Sequence, residues 1–385
     1  MKNILISHTN YLNFGGEDAN YLEEIAFLEK YFSVKKLTFF NSEKLKLADL
    51  ISFFTNSNYA SNKKLKLLIK NKPIDIFYAH NLWFKGNIGL LKVAHKNELE
   101  IILKIHNFRY FCSKSYFSNK HSKKKETCNA CNYVGRGTFR FNKYYSDSLL
   151  KSFLVIWNTK KLIKFMKTYP VKIIALNNLH KKYLNEIGVD SQKIHKFYNP
   201  ISLTTSLTDT YDPESEYIVY VGRINEEKGI YDLINNWKTF DNNKIKLKIA
   251  GKIETPKIDK LLKNTDNIEY LGELKLENAL NVISKSRALI LPTKIFEGQP
   301  RVLCEASSMG VPSIFPNWES LCEFFPEKYE LAYEVNNQTD FKLKLSLLHD
   351  TELLERISKD VFNYIGKKLS DHRLINDFNK IIYGK

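Results

Sequence analysis

Short apolar runs alternate with longer stretches of helical periodicity along this chain, and the alternation starts twice. The first series of runs falls at residues 4–6, 34–40, 74–79 and 101–105. The second falls at residues 217–221, 245–250, 268–271, 288–291 and 312–315. Apolar runs separated by a helix-length stretch cannot pair through tight turns, so they pair in parallel through crossovers, and the resulting sheet is covered on both faces. The class is therefore α/β. Between the two series, Lys196-Phe197-Tyr198-Asn199-Pro200 closes the first, because Pro200 holds the residue before it extended. The polar stretch up to residue 216 reads as a linker. With 385 residues the chain exceeds what one hydrophobic core usually organises. The expectation is two Rossmann-like domains, at residues 1–198 and 199–385, with a last helix at about 370–383 as a candidate to pack back on the first domain.

A hydrophobic fraction of 43%, including 25 Phe and 22 Tyr, supplies material for two packed cores and excludes a disordered chain. The balance of 59 Lys plus Arg against 42 Asp plus Glu leaves a formal charge of +17. That excess suits an anionic neighbour such as phosphate, nucleic acid or a lipid surface, or reflects a compositional bias, since Lys, Asn and Ile are abundant together. The opening MKNILISHTN lacks the long apolar core of a signal peptide, and no run approaches the ~20 apolar residues that cross a bilayer. These features predict a cytoplasmic chain whose membrane association, if any, is peripheral. Residues 152–169 read as a helix in which Phe153, Leu154, Ile156, Trp157, Leu162, Ile163, Phe165 and Met166 lie among Lys151, Lys160, Lys161, Lys164 and Lys167. Such a basic amphipathic helix either packs one face on its domain or docks on an anionic membrane.

Residues 107–147, rich in Ser, Asn, Lys and Tyr, break the rhythm and read as an elaborated loop. Five cysteines, an odd number, argue against a disulfide framework in a reducing compartment. Three of them, Cys112, Cys128 and Cys131, fall in this loop. The two residues between Cys128 and Cys131 give the spacing that places two thiolates on one tetrahedral metal. Cys112 and His121 lie close upstream, so the loop is a candidate structural zinc site, or else carries reduced thiols.

Several positions can carry chemistry. Gly15 and Gly16 follow the first run and precede a helix expected over 17–31. In Tyr220-Val221-Gly222-Arg223-Ile224-Asn225-Glu226-Glu227-Lys228-Gly229, a buried strand ends at a glycine, and two cations follow before the next helix. Ligands of parallel sheets bind beyond the carboxyl ends of the strands, and two cations beside a helix N-terminus suit a diphosphate; the alternative is a pair of surface cations. In Phe296-Glu297-Gly298-Gln299-Pro300-Arg301, Pro300 fits the start of a helix that stops at Gly310. Glu297 then lies in the loop before this helix, and Glu305 lies on the border of its apolar stripe. A carboxylate there needs a donor, which ribose hydroxyls would supply. Gly298 allows close backbone approach. His106 and His80 each follow an apolar run, a position open to a cleft role or to a satisfied structural histidine.

Glu297 and Glu305 separated by seven residues, the Gly222-Arg223…Lys228-Gly229 loop upstream, Gly15-Gly16, and Tyr198-Asn199-Pro200 together resemble the family 4 retaining glycosyltransferases, in order along nearly the whole chain. The resemblance implies the GT-B architecture, two Rossmann-like domains whose parallel sheets face a central cleft. It implies transfer of a sugar from a nucleotide-sugar donor, UDP- or GDP-linked, to a saccharide or lipid-linked saccharide acceptor, with retention and no cofactor or metal required for catalysis. It also places Arg223 and Lys228 at the donor diphosphate, Glu305 at the ribose, Glu297 at the donor sugar, Gly15, Gly16 and Gly298 along the donor, and His106 at the cleft. The chain departs from the commoner family pattern at Gly298-Gln299-Pro300-Arg301, which leaves the role of Arg301 open between a phosphate contact and a solvent-facing side chain. A GT-B sugar epimerase or phosphorylase remains as an alternative. Phe14-Gly15-Gly16-Glu17 does not supply the glycine pattern of a nicotinamide oxidoreductase, and no recognised nucleic-acid-binding module accompanies the basic residues, so no nucleic-acid partner is expected.

Overall fold

The computed structural model describes residues 2–10, 15–41, 51–52, 54–83, 85–107, 148–202, 211–240, 245–263, 265 and 267–384. The chain divides into two compact units, one formed by Met1–Pro200 with Leu374–Lys385, the other by Ile201–Arg373.

In the first unit, strands β1 (Asn3–Asn10), β2 (Ser33–Phe40), β3 (Ile76–Ala79), β4 (Glu100–Ile105), β5 (Val171–Ala175) and β6 (Ile194–Lys196) alternate with helices. Those helices are α1 (Gly16–Leu28), α2 (Tyr59–Asn71), α3 (Asn87–Lys96), α4 (Leu149–Thr168) and α5 (Asn178–Glu186). The sheet is parallel throughout, in the order β2-β1-β3-β4-β5-β6. Its central strands are branched or aromatic at nearly every position, as the two-sided burial of a parallel sheet favours. Ile4, Leu5, Ile6, Ile76, Phe77, Ile102, Leu103, Ile173 and Ile174 are all fully buried.

The second unit holds β7 (Tyr217–Val221), β8 (Lys246–Ala250), β9 (Ile268–Gly272), β10 (Leu289–Ile290), β11 (Ser313–Pro316) and β12 (Ala332–Tyr333). Its helices are α6 (Ile230–Lys238), α7 (Pro256–Lys263), α8 (Leu276–Ser284), α9 (Arg301–Ser308), α10 (Glu319–Cys322), α11 (Gln338–Ser346) and α12 (Thr351–Lys368). The strand order, β12-β11-β10-β7-β8-β9, is again all parallel. The last helix, α13 (Asp371–Tyr383), carries Phe378, whose ring packs on Phe32, Tyr78 and Phe197 of the first unit at 5.7, 5.8 and 5.2 Å.

Each sheet reverses its winding once, between β1 and β3 in the first unit and between β7 and β10 in the second. Chains leaving these strands diverge to opposite faces, and the carboxyl ends between them are where an open α/β sheet binds its ligand. All nine expected strands are present. Three others, β5, β6 and β12, extend the sheets. The expected linker is shorter than the polar composition implied, because Tyr211 and Ser215 are tied to the second unit. Tyr211 Oη donates to Arg287 O at 2.9 Å, and Ser215 Oγ donates to Lys285 O at 2.7 Å.

Candidate active site

In the second unit, the loop after β7 meets the loop after β10 at the switch point. Tyr220, buried in β7, donates its hydroxyl to Arg223 O at 2.5 Å and so fixes the chain as it leaves the strand. Asn225 Oδ1 accepts the Lys228 N–H at 3.0 Å and holds the next turn. Gly229 then caps α6 with φ +72, and a Cβ there would lie 1.8 Å from Pro292 O. Glycine is required at that position both for the left-handed backbone and for the close approach of the β10 loop. The approach brings Lys228 against Glu297, and their side chains form an ion pair that is mostly buried. Thr293 Oγ1 lies 3.4 Å from the same carboxylate oxygen, and Trp318 Nε1 donates to Thr293 O at 3.3 Å, which ties this loop to the residue preceding α10.

Arg223 is more open, and its guanidinium lies 3.5 Å from Glu254 in the loop after β8. Glu254 is in turn held by Asn225 Nδ2 at 2.7 Å. In α9, Glu305 is buried and accepts from Arg301 Nε at 2.6 Å. Arg301 does not simply face solvent: one turn before Glu305, it supplies the carboxylate with a donor. Pro300 stands at the N-cap of α9, one residue before the first turn. Gly298 and Gln299 are buried beside it. The three cations, Arg223, Lys228 and Arg301, each face a carboxylate. A polyanion entering here would therefore meet cations already held in place, and would exchange with carboxylates rather than organise flexible side chains.

In the first unit, β1, β3 and β4 are neighbours, and each presents a histidine at its carboxyl end: His8 within β1, His80 directly after β3, His106 directly after β4. His106 Nε2 lies 2.9 Å from His80 Nδ1. His8 Nε2 lies 2.9 Å from Asp18 Oδ1, and the other oxygen of Asp18 accepts the Gly15 N–H at 2.9 Å. That pair of contacts pins the glycine loop to the sheet where α1 begins. Burial pushes His80 and His106 well below the usual histidine range, and the positive charge of Lys104 adds to the effect on both. Both rings are accordingly neutral at pH 7. A Cβ at Gly16 would touch nothing within 4 Å, so the packing of the protein itself would accept alanine there.

Of the residues singled out from sequence, the structure brings Arg223, Lys228, Glu297 and Gly298 to the switch point of the second unit. It sets Glu305 in α9, in the same unit, and gathers Gly15, Gly16, His80 and His106 at the switch point of the first. Cys112, Cys128, Cys131 and His121 lie outside the described residues. The sequence reading missed Glu254, Asn225, His8, Asp18, Glu24 and Lys104. Lys104 carried a signal, since it interrupts the apolar strand Glu100–Ile105 where a parallel sheet buries both faces.

Residues 210–363 match the family model described as Glycosyl transferases group 1. Among curated proteins, the capsular polysaccharide biosynthesis glycosyltransferase CapH of Staphylococcus aureus is 24% identical over 250 residues, covering 62% of this chain and 58% of that protein. An uncharacterized 41.2 kDa protein in the cps region of Klebsiella pneumoniae is 26% identical over 213 residues, covering 50% of this chain and 59% of its own length. The chain thus spans less than two thirds of the length of these curated relatives. Among solved structures, HepE of Anabaena in complex with UDP and glucose superposes with a TM-score of 0.68 over 100% of both chains, at 11% identity. The apo form of the lipopolysaccharide outer core galactosyltransferase WaaB superposes with a TM-score of 0.64 at 18% identity, over 100% of this chain and 99% of that one. The fold is that of the GT-B glycosyltransferases.

Proposed function

We propose that this chain is a retaining glycosyltransferase of family 4 type, which moves a sugar from a nucleoside-diphosphate sugar to a hydroxyl of a glycan or lipid-linked glycan in surface polysaccharide biosynthesis. The observation that carries the reading is the set of cations in the second unit, above all Lys228 held against Glu297 at the N-terminal end of α6. Cations and free helix amides converging on a sheet's switch point suit a leaving diphosphate, whose charge grows as the glycosidic bond breaks. The family-model match covers all of these residues, a curated relative is named for capsular polysaccharide biosynthesis, and HepE was solved with UDP. In this reading Arg223 and Lys228 take the diphosphate, Glu305 the ribose, and Glu297 and Gly298 the donor sugar. Gly15 and Gly16 leave room for the donor, and His106 contacts a reacting saccharide.

Incubation with a panel of UDP- and GDP-sugars, with detection of the released nucleoside diphosphate, tests the reading. Lys228→Ala and Arg223→Ala should each lower kcat/KM for the donor about 10- to 100-fold, the equivalent of losing one charge-assisted contact worth ~1.5–3 kcal/mol. The unfolding midpoint of Arg223→Ala should stay close to the parent's, because that side chain is largely exposed, whereas Lys228→Ala leaves the mostly buried Glu297 unpaired and should lower it. A parent that releases no nucleotide from any donor, or variants with unchanged kcat/KM, would reject the assignment. An epimerase would instead convert the nucleotide sugar without an acceptor, and a phosphorylase would form a sugar phosphate.

The acceptor reading extends to α4. Leu154, Val155, Leu162, Phe165 and Met166 are buried, so one face of this helix packs on its unit. The opposite face exposes Phe153 and Trp157; Trp157 stacks on Phe153 and on Phe54, with Lys161 4.4 Å above the indole and Lys160 and Lys164 also exposed on the helix. Among the described residues no helix is long and apolar enough to cross a membrane. Aromatic rings flanked by lysines suit the interface of an anionic bilayer, where a lipid-linked acceptor would reside. Sedimentation with vesicles containing phosphatidylglycerol should show binding that weakens as salt rises and that Phe153→Ser with Trp157→Ser removes. Equal sedimentation of parent and variant would count against it.

A further inference from the structure

The first unit buries an ion pair beneath its histidines. In α1, Asp18, Tyr21 and Glu24 recur every third residue and face the sheet, and all three are buried. Glu24 is fully buried, and its carboxylate accepts from Lys104 Nζ at 2.6 Å and from the hydroxyl of Tyr78. Lys104, equally buried, lies 4.7 Å from the centre of the Phe197 ring. His80 stands directly above, with Nε2 4.0 Å from Glu24 and Nδ1 on His106 Nε2.

The arrangement dictates where the protons sit. Were the hydrogen of neutral His80 on Nδ1, the lone pair of Nε2 would face the carboxylate of Glu24, and like charge density would repel. With the hydrogen on Nε2, the carboxylate 4.0 Å away attracts it electrostatically, without a direct hydrogen bond, and Nδ1 becomes an acceptor. His106 must then donate through Nε2, which leaves its Nδ1 bare. That nitrogen is buried and has no hydrogen-bond partner among the described residues. Of the other rings around His80, His8 is engaged by Asp18, and Tyr21 by Thr38 at 3.1 Å.

We propose that Glu24 and Lys104 set the tautomer of His106 through His80, so that His106 offers an unprotonated Nδ1, an acceptor only, to a hydroxyl of the bound saccharide. Lys104 holds the Glu24 carboxylate in place, Glu24 orients the Nε2–H of His80, and His80 Nδ1 accepts a hydrogen bond from His106 Nε2–H. Glu24, Lys104 and His80 are positioning residues, since none of them touches the substrate. The inference rests on the transferase reading for the identity of the hydroxyl and on the geometry of this unit for the tautomer.

The test uses the full chain labelled with 15N-histidine. In long-range 1H–15N spectra at pH 7, the His106 ring, assigned by its loss in His106→Gln, should show a bare Nδ1 and a protonated Nε2. His80→Phe removes the acceptor and should abolish the single tautomer. His80→Asn places an amide oxygen where Nδ1 stood and should restore it. With UDP-glucose as probe donor, or whichever panel member turns over, His80→Phe should lower kcat about 10- to 100-fold with KM for the donor within about twofold, and His80→Asn should recover most of that loss. A protonated Nδ1 on His106 in the parent, or a tautomer unchanged by His80→Phe, overturns the proposal. Unchanged kcat in a folded His80→Phe protein does so too. A parent that turns over no nucleotide sugar counts against the transferase reading alone, and the spectra then decide the relay.

Discussion

Lys104→Met is expected to destabilise the first unit by about 3–5 kcal/mol, the range for removing one partner of a buried ion pair. Lys104 and Glu24 are both fully buried, so the variant would leave a carboxylate in the core with the Tyr78 hydroxyl as its remaining close donor. Methionine replaces the aliphatic stem of the lysine at similar volume, so little of the loss would come from a cavity. The double variant Lys104→Met, Glu24→Gln separates charge from packing. A neutral glutamine still accepts from Tyr78, and the unpaired charge is gone, so at least half of the lost stability should return. Urea unfolding of the parent, both single variants and the double variant gives the coupling. Additive losses, or a Lys104→Met protein within about 1 kcal/mol of the parent, would mean that the pair is not electrostatically coupled in the way its 2.6 Å contact implies.

The same residues show where sequence reading stops. Strands such as β1, β3 and β7 are legible because a parallel strand must be apolar on both faces, and few other segments carry such runs of Ile, Leu, Val, Phe and Tyr. Strand β6, Ile-His-Lys, lies at the sheet edge and needs no such run, while β12 is two residues long; neither leaves a pattern. The switch-point loop of the second unit is legible because its requirements are local. Gly229 is fixed by its backbone, and Arg223 and Lys228 by their distance from the end of β7. What they pair with is not local. Glu254 arrives from the loop after β8 and Glu297 from the loop after β10, and neighbourhood across a sheet is a property of strand order. Glu24 is harder still, because a glutamate in an amphipathic helix is almost always on the wet face, and only the partner three strands along the chain makes its burial tolerable. Arg301 was ambiguous for a related reason, since its partner Glu305 lies one turn onward in the same helix, while the choice between solvent and pairing depends on how deeply that turn is buried.

Acidification should unfold the first unit well before the second. His80 and His106 are held neutral well below the usual histidine range, chiefly by burial, and burial lowers His180 to about 3. In the unfolded chain each would titrate near 6.5. Below that pH the unfolded state binds more protons than the folded one, so stability falls as pH falls, and the loss continues until the folded-state values are reached. Each such histidine removes ~1.4 kcal/mol per pH unit, so three together remove about 4 kcal/mol per pH unit. A domain with a stability of roughly 5–10 kcal/mol would then unfold within about one to three pH units below 6.5, before His180 itself takes up a proton near 3. The second unit lacks this liability, because its two histidines, His349 and His372, are both exposed. Hydrogen exchange read peptide by peptide between pH 7 and pH 4 should show strands β1 to β6 losing protection while β7 to β12 retain theirs. His180→Phe, which replaces one buried neutral ring by another that cannot titrate, should reduce the slope of the first unit's stability against pH by about a quarter to a third, since the half-buried His195, also lowered by burial, contributes beside His80 and His106. Simultaneous loss of protection in both units, or a slope that His180→Phe leaves unchanged, would show that groups other than these buried rings govern the acid transition.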